Sequence, residues 1–246
     1  MNIAIIPARK GSKGFPGKNI LFFSMTEKFI NKSGLFDRVI INTDDESLIE
    51  IAKDAQFETY SRPQYLAGND ISINSVFQDM VTHLKCNGED YLWLFYIPLL
   101  YKNIDDFVKG KKIIDKLKPD SLSTFIPART HPYNCWKYDK NLGVIQKYID
   151  NQLFNRQDYE DAWENYHYVF AIKVNALEKS DNNLLSNKTE PMFLDNDTAN
   201  KLVEIDTPED LKKWKNIDQT GYMDWLNSLN DKCKKILLET IDLEMM

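Results

Sequence analysis

The sequence predicts an α/β protein. It should contain a Rossmann-like, mostly parallel sheet with helices on both faces, a small excursion and a C-terminal helix. Short apolar runs alternate with segments of helical periodicity between residues 3 and 126, and this alternation is typical of βαβ units. The chain has 246 residues, of which 43% are hydrophobic. That content is enough for a hydrophobic core and argues against disorder.

Five runs are predicted as strands because they are short, apolar and bounded by polar or turn residues. They are Ile3–Pro7, Val39–Asn42, Phe57–Ser61, Tyr91–Ile97 and Ser123–Ile126. Near-continuous apolar character is typical of parallel strands that are buried on both faces. The sheet is therefore expected to be covered by helices on both sides.

Three segments between these strands repeat apolar residues at the spacing of a helical face. They are Ser47–Ala55, Ser72–Leu84 and Ile104–Leu117. Thr43, with Glu46 three residues later, has the spacing of a capping box before the first of them. Thr207 followed by Pro208 predicts the start of a further helix, because Thr favours the cap position and Pro the first helical position.

Two regions depart from this alternation. Residues 130–168 are rich in Tyr, Asn and Asp without a strong period, and we interpret them as an excursion from the sheet for dimer contacts or as a lid. Residues Tyr222–Met246 have the apolar spacing of one amphipathic helix. We therefore expect one main domain over residues 1–217 and a C-terminal helical extension over residues 218–246.

The composition disfavours several classes of protein. A net charge of −6 argues against nucleic-acid binding, which needs a broad basic field. No apolar run approaches the ~18 residues of a membrane span, and the first residues lack the features of a signal peptide, so a cytoplasmic protein is expected. Cys86, Cys135 and Cys233 are far apart and form no CxxC pair, which argues against a disulfide framework or a zinc site.

The segment Pro7–Asn19 is the most informative part of the chain. It follows a predicted strand and contains three glycines, one serine and four basic side chains, without an acid. Glycines let the backbone approach an anion closely, and successive free N–H groups can bind it. Arg9, Lys13 and Lys18 could neutralise a triphosphate. A solvated basic loop is the alternative, but such crowded cations repel one another unless an anion binds.

This loop does not match the common phosphate-binding motifs. Five residues separate Gly11 from Gly17, and Asn19 stands where a Walker A loop has Ser or Thr. It resembles instead the signature of the acylneuraminate cytidylyltransferase family, I-x-A-R-x-x-S-K-G-x-P-x-K-N. Further segments resemble family motifs in the same order along residues 1–215. These segments are Ser33–Ile40, Thr43–Glu46, Arg62–Asp70, Arg156–Asp158 and Glu204–Leu211.

The resemblance implies a homodimeric, Mg²⁺-dependent enzyme that transfers CMP from CTP to an acidic, nonulosonic-acid-like sugar. Pyrophosphate would be released, and the product would serve surface glycan synthesis. The implied nucleotide-binding residues are Ala8, Arg9, Gly11, Ser12, Lys13, Lys18, Asn19 and Arg62. Arg9 and Lys18, together with Asp206, are the implied catalytic residues.

Two further groups of residues follow from the same resemblance. Glu204 and Asp206 are implied as Mg²⁺ ligands, and their i, i+2 spacing would point both carboxylates to one face of a strand. The alternative is that they cap the next helix or lie in solvent. Arg156 and Gln157 are implied at the acceptor site, and His131 is a further candidate there.

The resemblance is weaker in the acceptor half. Leu94–Leu100 stands where the family has Q-P-T-S-P-L-R, and its Gln, Thr and Arg are missing. His167–Ile172 likewise lacks the Asn-Gly of the family's N-G-A-I-Y-I. Both segments normally contact the sugar, so a changed acceptor is predicted. Two alternatives remain: a cytidylyltransferase for a non-sialic acceptor, or a catalytically silent nucleotide-binding partner protein.

Overall fold

The structure, a computed structural model, describes residues 1–153 and 155–241. In this part of the chain the strands are β1 (Asn2–Pro7), β2 (Arg38–Thr43), β3 (Glu58–Ser61), β4 (Tyr91–Leu94), β5 (Ser121–Pro127), β6 (Trp136–Asp139), β7 (Val144–Lys147), β8 (Trp163–Lys173) and β9 (Thr189–Phe193). Seven of them form one sheet in the order β3-β2-β1-β4-β8-β5-β9. The other two, β6 and β7, form a separate antiparallel hairpin.

The main sheet is mostly parallel, as predicted. Strands β3, β2, β1 and β4 are parallel to their neighbours, and β9 is parallel to β5. Only β8 runs against its neighbours β4 and β5 within the described sheet. The strand order reverses at β1 and β4, because the chain proceeds from β1 to β2 on one side and later returns to β4 on the other. Ligands of open α/β sheets bind outside the carboxyl ends of the strands at such a switch point.

Helices cover both faces of the sheet. They are α1 (Lys18–Ser33), α2 (Glu46–Asp54), α3 (Ile73–His83), α4 (Ile104–Leu117), α5 (Asn196–Ala199), α6 (Pro208–Ile217), α7 (Gln219–Ser228) and α8 (Asp231–Thr240). Alternate residues of β1 face opposite cores, as a strand requires. Ala4 and Ile6 join the larger core with α1 and α4, whereas Ile3 and Ile5 join the core built on α3. The predicted two-faced α/β architecture is confirmed.

Two local predictions need correction. The cap of α2 is Asp45, whose side chain accepts from the Ser47 N–H, and not Thr43, whose hydroxyl accepts from the Asp45 N–H. The predicted single helix Tyr222–Met246 is two helices, α7 and α8, because the Asn230 side chain accepts from the Cys233 N–H and starts a new helix there. Residues 242–246 of that prediction lie outside the described residues.

Other expectations agree with the structure. Thr207 caps α6, Pro208 takes its first position, and the Asp210 side chain completes a capping box. The three cysteines are free in the described chain. In the same part of the molecule, no helix has the length and apolar character needed to cross a membrane. The division at residues 217 and 218 stays a prediction.

Candidate functional site

A cleft of about 810 Å³ opens at the switch point of the sheet. Its walls come from the loop after β1, the segment after β4, the region that follows β3 and the segment before α6. Most residues predicted to bind nucleotide or metal line it: Ala8, Arg9, Ser12, Lys13, Lys18, Asn19, Arg62, Glu204 and Asp206. Gly11 belongs to the same loop without lining the cleft. Residues that are up to two hundred positions apart in sequence therefore meet in one place.

The loop after β1 is tied to its surroundings at both ends. The Ala8 N–H donates to the Asn42 carbonyl at 2.9 Å, and the Lys10 N–H donates to the Asp44 carboxylate at 2.7 Å. At the other end, the Asn19 side chain donates to the Arg9 carbonyl at 3.1 Å. Asn19 thus helps to fold the loop back on itself, which brings its basic side chains to one edge of the cleft.

An ion pair joins this loop to the segment before α6. The Lys18 ammonium pairs with the Asp206 carboxylate, and the lysine side chain is largely buried while the aspartate is mostly exposed. The two backbones also touch: a Cβ atom placed on Gly14 would lie 2.4 Å from the Asp206 carbonyl oxygen. Only glycine allows that approach. The loop after β1 and the segment that carries Asp206 are therefore held against each other by an ion pair and by backbone packing.

Glu204 and Asp206 project from an extended segment that pairs with the chain after β4. Leu99 forms an antiparallel bridge with Glu204, and the Ile205 N–H donates to the Pro98 carbonyl at 3.0 Å. Ile205 is fully buried, so the residues before and after it face the cleft together, as their i, i+2 spacing predicts. The helix-capping alternative is disfavoured, because Thr207 and Asp210 make the cap of α6.

The electrostatics of these carboxylates suit a cation. Removal of water within the cleft, and then the neighbouring Asp206 carboxylate, raise the pKa of Glu204, while Lys18 opposes the shift. A bound cation would relieve this crowding of negative charge. No group of three His, Cys, Asp or Glu side chains suitable for a metal occurs among the described residues. Two carboxylates fit Mg²⁺ when phosphate oxygens and water complete its coordination.

Arg62 is held rigidly at the edge of the cleft. Its side chain donates to the Asn42 side-chain oxygen at 2.7 Å and to the Asn42 carbonyl at 3.0 Å. Burial lowers the pKa of Arg62, and Asp44 partly opposes this shift; a guanidinium nevertheless stays charged. Arg62 thus presents a fixed, dehydrated positive charge to the cleft.

Sequence reasoning missed further residues that line the cleft, among them Tyr96, Asn182 and Asn183. Burial, together with the nearby Glu204 carboxylate, raises the pKa of Tyr96 to about 12. Tyr96 lies in the segment that departs from the family pattern, and that departure is a signal that could have identified it. The loop with the two asparagines carries no comparable signal.

The predicted acceptor residues lie elsewhere. His131 and Arg156 line a second pocket of about 400 Å³ in the excursion, together with Arg129, which sequence reasoning missed. The His131 ring is 3.0 Å from the Glu160 carbonyl. Gln157 is not among the residues lining either pocket. Within one chain, the structure does not bring the predicted acceptor residues to the nucleotide cleft.

Solved structures share this fold. The CMP:2-keto-3-deoxy-manno-octonic acid synthetase complexed with CTP aligns at a TM-score of 0.62 and 10% identity, over 89% of this chain and 99% of that one. The 4-diphosphocytidyl-2C-methyl-D-erythritol synthase of Anaerococcus prevotii aligns at 0.57 and 13% identity, over 89% and 98%. At such low identities these likenesses establish the fold only, a Rossmann-like α/β fold.

Sequence comparison finds similarity to cytidylyltransferases. Residues 3–87 match the family model described as cytidylyltransferase. A pseudaminic acid cytidylyltransferase of Campylobacter jejuni is 35% identical in an alignment of 114 positions that covers 42% of this chain and 49% of that protein. An N-acylneuraminate cytidylyltransferase of Streptococcus agalactiae is 31% identical in an alignment of 105 positions that covers 39% of this chain and 25% of that protein. The first part of the chain is thus similar to cytidylyltransferases, in agreement with the resemblance. The chain spans about half the length of the pseudaminic acid relative and a quarter of the other.

Proposed function

We propose that this chain is a Mg²⁺-dependent cytidylyltransferase that transfers CMP from CTP to an acidic, nonulosonic-acid-like sugar and releases pyrophosphate. The observation that carries the proposal is the single cleft in which the basic, glycine-containing loop meets Glu204 and Asp206. The names of the relatives support the nucleotide and the class of acceptor.

The chemistry requires little beyond positioning and neutralisation of charge. The acceptor hydroxyl attacks the α-phosphorus of CTP and loses its proton to solvent, while the bond to the departing pyrophosphate breaks. Arg9, Lys13 and Lys18 would hold the phosphates and stabilise the charge that develops on the leaving group. Glu204 and Asp206 would hold Mg²⁺, which supplies Lewis-acid polarisation of phosphate oxygens when bound.

The acceptor is proposed to differ from common sialic acids. The segment after β4 lacks the polar residues of the family pattern, and Tyr96 and Pro98 line the cleft there instead. A phenol and a proline offer fewer hydrogen bonds than the Gln, Thr and Arg of the family pattern. A less polar or modified acidic sugar fits this side of the cleft better. The CMP-sugar product is proposed to serve the synthesis of a surface glycan.

Pyrophosphate release tests the proposed reaction directly. The purified protein would be incubated with CTP, Mg²⁺ and a panel of acidic eight-carbon and nine-carbon sugars that includes pseudaminic acid. Release with one sugar and not with the others would establish the reaction and the acceptor. Absence of release with every sugar, despite stabilisation by CTP, would favour a different acceptor or a silent nucleotide-binding protein.

Arg156→Ala is expected to raise the KM for the acceptor about tenfold with little change in kcat, because a lost ground-state contact has that effect. Arg156 lies in the pocket of the excursion with a second arginine, Arg129, and guanidinium groups suit a carboxylate. In the proposed homodimer, this pocket would reach the acceptor at the cleft of the partner subunit. Lys140→Ala, at an exposed position of the same excursion, is the control. An unchanged acceptor KM in Arg156→Ala would remove Arg156 from the acceptor site.

The protein is further proposed to be a homodimer that associates through the β6–β7 hairpin. Tyr138 and Ile145 pair across the two strands, and both side chains, like that of Trp136, are more than half exposed. A contiguous apolar surface of this kind marks an interface. Ile145→Glu is expected to shift the protein from dimer to monomer in sedimentation, and Leu117→Glu, at an exposed apolar site on α4, should not. A natural chain that sediments as a monomer would contradict the proposal.

A further inference from the structure

Helices α7 and α8 fold back over α1, the helix that follows the phosphate-binding loop. The Trp225 indole N–H donates to the Leu21 carbonyl at 3.0 Å in a buried hydrogen bond. The Trp225 ring also stacks on Phe22, with ring centroids 4.8 Å apart and planes 22° apart. Such aromatic pairs stabilise packing beyond the area that they bury. These contacts fix α7 against the first turns of α1.

The next helix, α8, reaches the loop itself. A Cβ atom placed on Gly17 would lie 2.5 Å from Cγ2 of Ile236. The Thr240 hydroxyl lies 3.3 Å from the Pro16 carbonyl, to which it can donate, and 2.8 Å from the Ile236 carbonyl. The backbone at Pro16 and Gly17 is therefore in direct contact with α8.

The two ends of the loop after β1 differ in how closely other residues pack against them. A Cβ atom placed on Gly11 would meet no atom within 4 Å, whereas Phe15 is fully buried and packs near Phe22 with centroids 6.0 Å apart. Lys18 follows Gly17 directly, and its ammonium carries the ion pair to Asp206. The contact with α8 thus falls one residue before a lysine of the cleft and at the start of α1.

Gly17 needs this outside support. Its φ of +73° lies in the left-handed region, and glycine also adopts many other conformations at little cost. The side-chain contact with Ile236 restricts that freedom. It therefore restricts where the Lys18 ammonium and the first turn of α1 lie, and the start of a helix favours phosphate.

We propose that Ile236, assisted by Thr240, is a positioning residue for the triphosphate of the bound nucleotide. The inference rests on the proposed function, because it takes CTP as the nucleotide. Ile236 acts through the backbone of Gly17 and through Lys18, without touching the substrate. Preorganised loops bind more tightly because less ordering is required on binding. The segment that follows the last family motif is thereby part of the nucleotide site.

The test compares CTP with CMP, which lacks the two outer phosphates. In the full-length Ile236→Ala protein, calorimetry is expected to show a Kd for CTP raised about tenfold and a Kd for CMP changed less than twofold. The KM for CTP should rise by a similar factor, while kcat changes little. The acceptor KM is expected to stay the same.

Three further variants separate positioning from a general loss of stability. Ile236→Val keeps Cγ2 and should restore the natural Kd for CTP. Ile114→Ala truncates an equally large, buried side chain on α4; it should lower the Tm and leave both nucleotide affinities unchanged. If Ile236→Ala does not fold, Thr240→Val replaces the hydroxyl with a methyl group of similar size and should raise the Kd for CTP two- to threefold.

Two results would overturn the inference. One is a folded Ile236→Ala protein that binds CTP as the natural chain does, and the other is an equal weakening of CTP and CMP binding. Failure of the natural chain to bind CTP would overturn the proposed function, and this inference with it. Binding of CTP without pyrophosphate release would contradict only the reaction, because the comparison of affinities needs no turnover.

Discussion

Asp206→Asn is expected to lower kcat/KM for CMP transfer about a thousandfold. Asp206 is the partner of the Lys18 ammonium and lies beside Glu204 in the cleft. The amide keeps the shape of the side chain but removes the charge that would hold a cation and orient the lysine. Loss of one group that stabilises developing charge typically costs a factor of 10²–10³. Release of pyrophosphate with a saturating acceptor measures the effect.

The same substitution should hardly change stability. The Asp206 side chain is 61% exposed, and surface ion pairs contribute only about 0–1 kcal/mol to the free energy of unfolding. Asp54→Asn, at an exposed position at the end of α2, is a matched control and should be fully active. Normal turnover by a folded Asp206→Asn protein would exclude Asp206 from both the catalytic and the metal-binding roles.

Gly14→Ala should affect both stability and activity. Its added methyl group would lie 2.4 Å from the backbone carbonyl oxygen of Asp206, a contact that neither side can relieve by a side-chain rotation. Overpacking of this kind lowers the free energy of unfolding by about 1–3 kcal/mol. The loop and the Asp206 segment must also move apart, and displacement of catalytic groups by about 1 Å can lower the rate about a hundredfold.

Gly11→Ala is the control for this prediction. Gly11 lies in the same loop at a φ of +78°, but a Cβ atom there meets nothing within 4 Å. Only the left-handed backbone disfavours alanine at that position, at a cost of about 1 kcal/mol. Thermal unfolding and pyrophosphate release would be measured for both variants. Equal losses in the two would mean that the contact between Gly14 and Asp206 has no special importance.

Strands β1 and β4 could be predicted from sequence because burial on both faces leaves a continuous apolar run. Strand β8, which lies between β4 and β5 in the sheet, was not among the five predicted strands. Helix α1 was also missed. It buries residues on several sides, including the consecutive Leu21, Phe22 and Phe23, since both the sheet and the C-terminal helices cover it. A helix covered in this way shows no clean three-and-four spacing.

The apolar periodicity of the C-terminal region does not reveal the break between α7 and α8. Leu229 and Cys233 continue the apolar spacing of α7 across the break, and only the capping side chain of Asn230 marks a new start. The spacing of one apolar face is thus compatible with one helix or with two that pack on the same surface. Cap residues within a periodic run are the local signal that separates these cases.

The site was partly predictable for a different reason. The basic and glycine residues of the loop after β1 are close together in sequence, so their role can be predicted from one short segment. Asn182 and Asn183 line the cleft in a loop that the buried Asn74 side chain on α3 helps to hold, by donating to the carbonyls of Leu177 and Asp181. Contacts of that range depend on the tertiary structure and leave no local pattern. The assigned roles of the predicted residues stay predictions.

The excursion enters and leaves the main sheet at one point. Strands β5 and β8 are antiparallel neighbours, and the Ala128 N–H donates to the Ala162 carbonyl at 2.9 Å where the excursion begins and ends. Closure entropy grows only slowly with the length of such an insertion. The excursion can therefore change in length without disturbing the strand order. Under the proposed function, new acceptor preferences could evolve in the excursion while the loop after β1, proposed to bind the nucleotide, stays unchanged.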